Sequence, residues 1–286
     1  MNDIQNCILD IFKEIAKVCE NNDIDYYGSS GTCLGAVRHQ GFIPWDDDMD
    51  IVIPIEEFDK FIEAAKRELP PYLEIYTPFE KKHFSHLIIK VMDKRTAFIE
   101  EPFYKYPDSW SGVWVDVIPQ CGVPTNKFRR KLFYKYLWWN MFLDLYKRED
   151  YMGSHFVPIQ KMVKNFTLKH RDDNYYMRKQ LEFVRKYPAK KYDYVLECGF
   201  FKFDNWTSER AWLKEKIKVK FEDTEIRIPK EYDKYLTKQY GDYMWIPPEN
   251  QRVKHNGTVD LTRSYEEYIK HPEWLVKEDE DNGYKE

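Results

Sequence analysis

The chain has 286 residues, enough for one large domain or two small ones, and 43% of them are hydrophobic, enough to bury a sizeable core. A formal net charge of −4 leaves no general basic surface for nucleic acid. No uncharged run reaches the roughly 20 residues needed to cross a bilayer. The five scattered cysteines form no C-x-x-C pair, which argues for reduced thiols in a cytoplasmic protein over a disulfide framework or zinc site.

Asn2 or Asp3 caps a predicted helix whose apolar residues Ile4, Ile8, Ile11, Ile15 and Val18 recur at helical spacing. Asp3, Asp10 and Lys13 within that pattern argue against a signal peptide. Asn21–Asp23 ends the helix, and Ile24–Tyr27 reads as a short strand leading into a turn at Gly28–Gly31. Thr32–Arg38 is predicted as a short helix, Met49–Ile53 as a strand, and Ile55–Leu69 as a helix stopped by Pro70-Pro71. Further strands are expected at Tyr72–Tyr76, Leu87–Met92 and Val113–Ile118. The order α-β-α-β-α-β-β-β predicts an α+β fold, a mixed sheet with packed helices, over residues 1–125.

Residues 126–200 read as a helical, aromatic-rich insertion. Its first helix, Lys127–Arg148, interleaves aromatic and basic residues almost all the way round. It is readable as a core helix or as a surface resting on anionic lipid; the net charge argues against a nucleic-acid role. More helix is expected from Pro158 to Tyr187, broken near Asp172–Asn174. Residues 201–276 carry a predicted hairpin, Ile217–Phe221 with Glu225–Ile228, and a helix from Pro229 to Tyr240 ended by Gly241. Residues 277–286 form an acidic, apolar-poor tail.

Chemistry concentrates between Tyr26 and Pro54. The small residues Gly28, Ser29 and Ser30 form a turn that lets backbone amides approach phosphate. Thr32 opens the following helix, whose N-terminal amides face the same place. Asp46, Asp47, Asp48 and Asp50 then crowd against the apolar run Ile51-Val52-Ile53. Four adjacent carboxylates repel one another, which packing does not explain and a divalent cation does. If the backbone is extended there, Asp46, Asp48 and Asp50 share one face and Asp47 points away. Arg38 and His39 lie between turn and acidic cluster, where either could reach a phosphate or pair with a nearby Asp. Lys90, inside an apolar strand, needs an anionic partner unless it snorkels from an edge. Trp45, Trp110, Trp114, Tyr104 and Tyr106 are candidates for an aromatic surround able to hold a quaternary ammonium.

The Gly-Ser-Ser turn followed by Asp48-Met-Asp50 resembles the nucleotidyltransferase pattern of hG[GS] and DhDh. More narrowly, the run from Gly31 to Asp50 resembles the LicD family, which includes phosphocholine transferases and is related to fukutin-type ribitol-phosphate transferases. Two later blocks carry the same resemblance: Trp114-Val-Asp116 through Gly-Val-Pro, and Tyr240-Gly-Asp-Tyr through His255. The resemblance implies a nucleotidyltransferase-like sheet and Asp48, Asp50 and Asp116 as catalytic metal ligands. Asp116 would complete the site or deprotonate the attacking hydroxyl, although an Asp between Val115 and Val117 could also face solvent. Gly28, Ser29, Ser30, Thr32, Arg38, His39, Trp45, Lys90, Trp114 and His255 would contact substrate. The implied cofactor is Mg²⁺, with Mn²⁺ as the alternative. The implied reaction moves phosphocholine from CDP-choline to a hydroxyl of a cell-surface glycan or lipid-linked glycan, releasing CMP. Peripheral contact with the inner face of a membrane would suit such an acceptor. Transfer of ribitol or glycerol phosphate, nucleotidyl transfer to a small molecule, and a non-catalytic binding role are the competing readings.

Overall fold

A computed structural model describes residues 1–77, 79, 87–146, 172, 174–252 and 257–275. The first helix, α1 (Asp3–Asn21), begins in a capping box: the Asn2 side chain accepts from the Gln5 N–H and Gln5 returns the bond. Ile8, Ile11, Phe12, Ile15 and Val18 are buried at helical spacing, and α1 packs on the sheet and on the helix α3 (Phe58–Glu68).

The central sheet is mixed. Strand β2 (Asp50–Pro54) lies parallel to the long strand β6 (Trp114–Val123), with β1 (Tyr27–Gly28) antiparallel on its other side. On the far edge of β6 lie β4 (Ile89–Asp93) and then β3 (Leu73–Tyr76), both antiparallel. The second half of β6 pairs instead with β7 (Tyr194–Glu197), and β7 with β8 (Thr207–Glu209). Eight of the ten β6 residues are apolar, and Val115, Val117 and Ile118 are fully buried, as a central strand covered on both faces requires.

The α+β expectation holds, with three differences. Strand β5 (Ala97–Glu100) and its partner β11 (Gly257–Asp260) form a separate ribbon that the sequence reading missed. β7 and β8 extend the sheet from within and just beyond the stretch read as helical insertion. The predicted hairpin is present as β9 (Lys216–Phe221) and β10 (Thr224–Pro229). Pro229 ends β10, however, and the next helix starts only at Tyr232, running to Tyr240. Proline tolerates both a helix start and the last position of an edge strand.

The helix α4 (Lys127–Tyr146) follows β6 and packs on the helix Tyr175–Val184 through Phe133, Leu137 and Met141. The expected helical sequence from Pro158 to about residue 171, the tail 277–286 and His255 lie outside the described residues. Among the described residues no helix is long and apolar enough to cross a membrane.

Candidate active site

β1 ends at Gly28, and the chain turns through Ser29 and Ser30 into α2 (Ser30–His39). Ser30 adopts φ +48°, a left-handed conformation that a non-glycine residue holds only under constraint. The constraint comes from both sides. The Ser29 N–H donates to the Asp50 carbonyl at 3.0 Å, and the Asp50 N–H donates to Thr32 Oγ1 at 2.8 Å. Turn and acidic strand are thus tied together by one backbone–backbone bond and one bond to the Thr32 hydroxyl. Gly35 lets α2 approach the loop that delivers the aspartates: a Cβ there would lie 2.5 Å from the Gly41 carbonyl.

The carboxylates converge as the sheet register dictates. Asp50 is directly paired with Asp116 across the parallel β2–β6 contact, and Asp116 with Lys90 across β4. Cross-strand partners share a face, so Asp50, Asp116 and Lys90 form one row. Extended pairing starts only at Asp50, so Asp46–Met49 lie in a loop and not on the strand. Even so, Asp48 and Asp46 both act on Asp50.

Burial first, then the neighbouring Asp48, Asp116 and Asp46 carboxylates, hold the Asp50 carboxyl well above the usual range. Burial also pushes the Asp116 carboxyl up, to about 6, against the opposing pull of the Lys90 ammonium. Asp116 Oδ1 is buried and makes no hydrogen bond of normal geometry. A buried, unpartnered carboxylate oxygen beside a second raised carboxyl is the donor chemistry of a hard cation. Among the described residues no three His, Cys, Asp or Glu side chains enclose a cation by themselves. The site therefore fits Mg²⁺, which takes one or two carboxylates and completes its shell with water and phosphate oxygens, and does not fit a closed protein cage.

The other predicted residues separate into those at the row and those engaged elsewhere. The Lys90 Nζ lies 3.3 Å from the Trp114 ring centroid and 3.9 Å from Glu100 Oε2. The Trp114 face is thus covered by a protein cation. The Trp45 ring carries Arg252 at 4.2 Å and Arg38 at 6.0 Å, with His39 edge-on. Trp110 is 1% exposed and donates Nε1–H to the Phe103 carbonyl, so it is core and not part of an aromatic surround. Tyr104 bonds Thr258 on β11. Arg38 donates through NH1 to the Tyr243 and Trp245 carbonyls and through Nε to His39 Nε2. It fastens the loop after the helix Tyr232–Tyr240 over the site; burial holds the His39 imidazole below its ordinary value, with Arg38 adding to the effect.

Sequence reasoning missed the buried network under the turn. Glu197 on β7 accepts from Ser29 Oγ at 2.6 Å, Tyr235 Oη at 2.7 Å and Tyr27 Oη at 3.0 Å, and Gln120 Nε2 donates to Tyr27 Oη at 2.6 Å. The Ser30 N–H donates to Tyr235 Oη. The Ser29 hydroxyl, expected at substrate, is spent inside this network. Tyr240 was also missed as a site residue: the residue as a whole is 44% exposed, while burial and the Asp50, Asp46, Glu197 and Asp48 carboxylates raise its hydroxyl. A Glu and two Tyr drawn from distant elements leave no local sequence signal. The raised Tyr240 alone lay within a quoted sequence block.

A mixed α+β sheet that gathers carboxylates on the adjacent ends of β2 and β6, beneath a small-residue turn, defines a fold built to handle phosphate groups. Residues 23–163 match the LicD/FKTN/FKRP nucleotidyltransferase domain. It is 27% identical to the lipopolysaccharide cholinephosphotransferase LicD of Haemophilus influenzae over 254 residues, 87% of this chain and 92% of the relative. It is also 51% identical over 47 residues to an uncharacterized protein of Rickettsia prowazekii and to one of Rickettsia typhi, 16% of this chain in each case.

Proposed function

We propose that the protein transfers phosphocholine from CDP-choline to a hydroxyl of a cell-surface glycan. The observation that carries this reading is the row of Asp50, Asp116 and Lys90 beside the constrained Ser29–Ser30 turn. The Haemophilus relative, matched over most of both chains, supports the choice of phosphocholine.

In this reading the donor diphosphate rests against the N-terminus of α2, where the helix dipole favours anions. Asp48 and Asp50 would hold Mg²⁺, which when bound would offset diphosphate charge and stabilise the departing nucleotide, leaving Asp116 to serve the acceptor hydroxyl. The acceptor oxygen attacks the phosphorus of the phosphocholine group, forming the new P–O bond as the bond to CMP breaks. The acceptor proton passes to the Asp116 carboxylate, which burial makes more basic than an ordinary carboxylate. Lys90 favours the ionised Asp116 carboxylate before it takes the proton. Because the Trp45 and Trp114 faces carry protein cations, the ring of the exposed Tyr240 is the aromatic surface best placed for the trimethylammonium group.

The donor is tested by measuring CMP release with a glycan extract, supplying CDP-choline, CDP-ribitol and CDP-glycerol in parallel. Faster turnover of CDP-choline by about tenfold or more is the expected result. Preference for a polyol donor would keep the site assignment and overturn the substrate.

A further inference from the structure

Helix α4 presents to solvent a face that is both aromatic and basic. Phe128 (71% exposed), Leu132 (51%) and Trp139 (52%) follow one another at helical spacing in a single stripe, with Trp138 beside it. Phe133, Leu137 and Met141 on the opposite side are buried, so the helix is apolar both inward and outward. Lys131 and Lys135 run along the outward stripe, and Lys127 and Arg129 sit in the first turn. Among the described residues no carboxylate forms an ion pair with these four cations.

A groove of about 790 Å³ runs along this helix, closed on its other side by residues 201–205. Five cations line it, Lys202 and Arg130 among them, against one carboxylate, Asp204. In a chain of net charge −4, such a face is an isolated positive patch.

We propose that this face docks on a phospholipid bilayer carrying anionic headgroups. Trp138, Trp139 and Phe128 would lie at the depth where aromatic rings favour the interface, with the lysines among the headgroups. Charge decides against a second copy of the chain. A symmetric dimer through this patch would set its cations against the same cations of the partner, a repulsive arrangement. The inference does not depend on the transfer reaction and stands or falls separately from it.

Vesicle flotation tests it, with the full chain and vesicles of phosphatidylcholine alone or mixed with phosphatidylglycerol. The wild type should float with the anionic vesicles, far less with the neutral ones, and progressively less as salt is raised. The Lys131→Glu/Lys135→Glu variant should bind about tenfold or more weakly. Trp138→Ser/Trp139→Ser should also lose binding, with circular dichroism unchanged in both variants. No binding to anionic vesicles, or equal binding by the charge-reversed variant, would overturn the proposal. So would a stable dimer by light scattering that the tryptophan variant disperses and that does not bind vesicles.

Discussion

Asp50→Asn should lower CMP release from CDP-choline by about a thousandfold while leaving the cation-free fold as stable as the wild type or more so. The two halves of that result share one cause. Burial and the surrounding Asp48, Asp116 and Asp46 carboxylates oppose ionisation of Asp50 in the folded chain. The sign of the pH effect follows. Unfolded carboxyls ionise near pH 4, whereas Asp116 ionises only near 6 and Asp50 is also raised. Above the unfolded value the folded state holds more protons, so wild-type stability falls as pH rises, the Asp116 share of the penalty being complete above about 6. Asp50→Asn removes part of that penalty. Its melting temperature should therefore match the wild type near pH 4 and equal or exceed it above about pH 6. A cooperative loss of structure in the variant would show that Asp50 serves packing and not chemistry.

Glu197→Ala should destabilise the fold by about 3–5 kcal/mol, because three buried hydroxyls that donate to Glu197 lose their acceptor together. In a domain of this size that lowers the melting temperature by roughly 10 °C. Glu197→Gln keeps one acceptor oxygen and should cost much less. The Gln variant is also the better probe of function. Glu197 holds Ser29 and, through Tyr235, the strained Ser30 N–H, so it fixes the turn against which the donor phosphates are proposed to lie. KM for CDP-choline should rise in Glu197→Gln, with a smaller change in kcat. An unchanged KM in a folded variant would confine the network to stability.

The outline of this fold could be read from local patterns because its elements announce themselves locally. Apolar spacing marks α1, β-branched runs mark β2 and β6, and turn residues bracket the hairpin Lys216–Pro229. Asp50 and Asp116 were legible for the same reason, each standing at the mouth of an apolar strand, and the parallel register then sets them side by side. The period-two argument assumed an extended strand from Asp46, whereas Asp46 and Asp48 lie in a loop ahead of β2. What stayed hidden was long-range. β5 is four residues long and finds its partner at Gly257–Asp260, so neither strand is signalled by its neighbours in sequence. Glu197 gains its meaning only when β7 brings it to Ser29, 168 residues away along the chain. Trp114 and Trp45 looked available as aromatic surfaces, but their faces are taken by Lys90 and Arg252, a choice made by tertiary packing. The two faces of α4 could not be told apart by period alone, because both are apolar; burial separates Phe133, Leu137 and Met141 from Phe128, Leu132 and Trp139.

The central claim is that Asp50 and its neighbouring carboxylates hold the donor diphosphate through a divalent cation. Titration calorimetry of CDP-choline against wild type and Asp50→Asn, each with Mg²⁺ and with chelator, tests it most directly. Wild type should bind about tenfold or more tightly with Mg²⁺ than with chelator, and Asp50→Asn should show little difference between the two conditions. Equal wild-type affinity with and without Mg²⁺ would contradict the account.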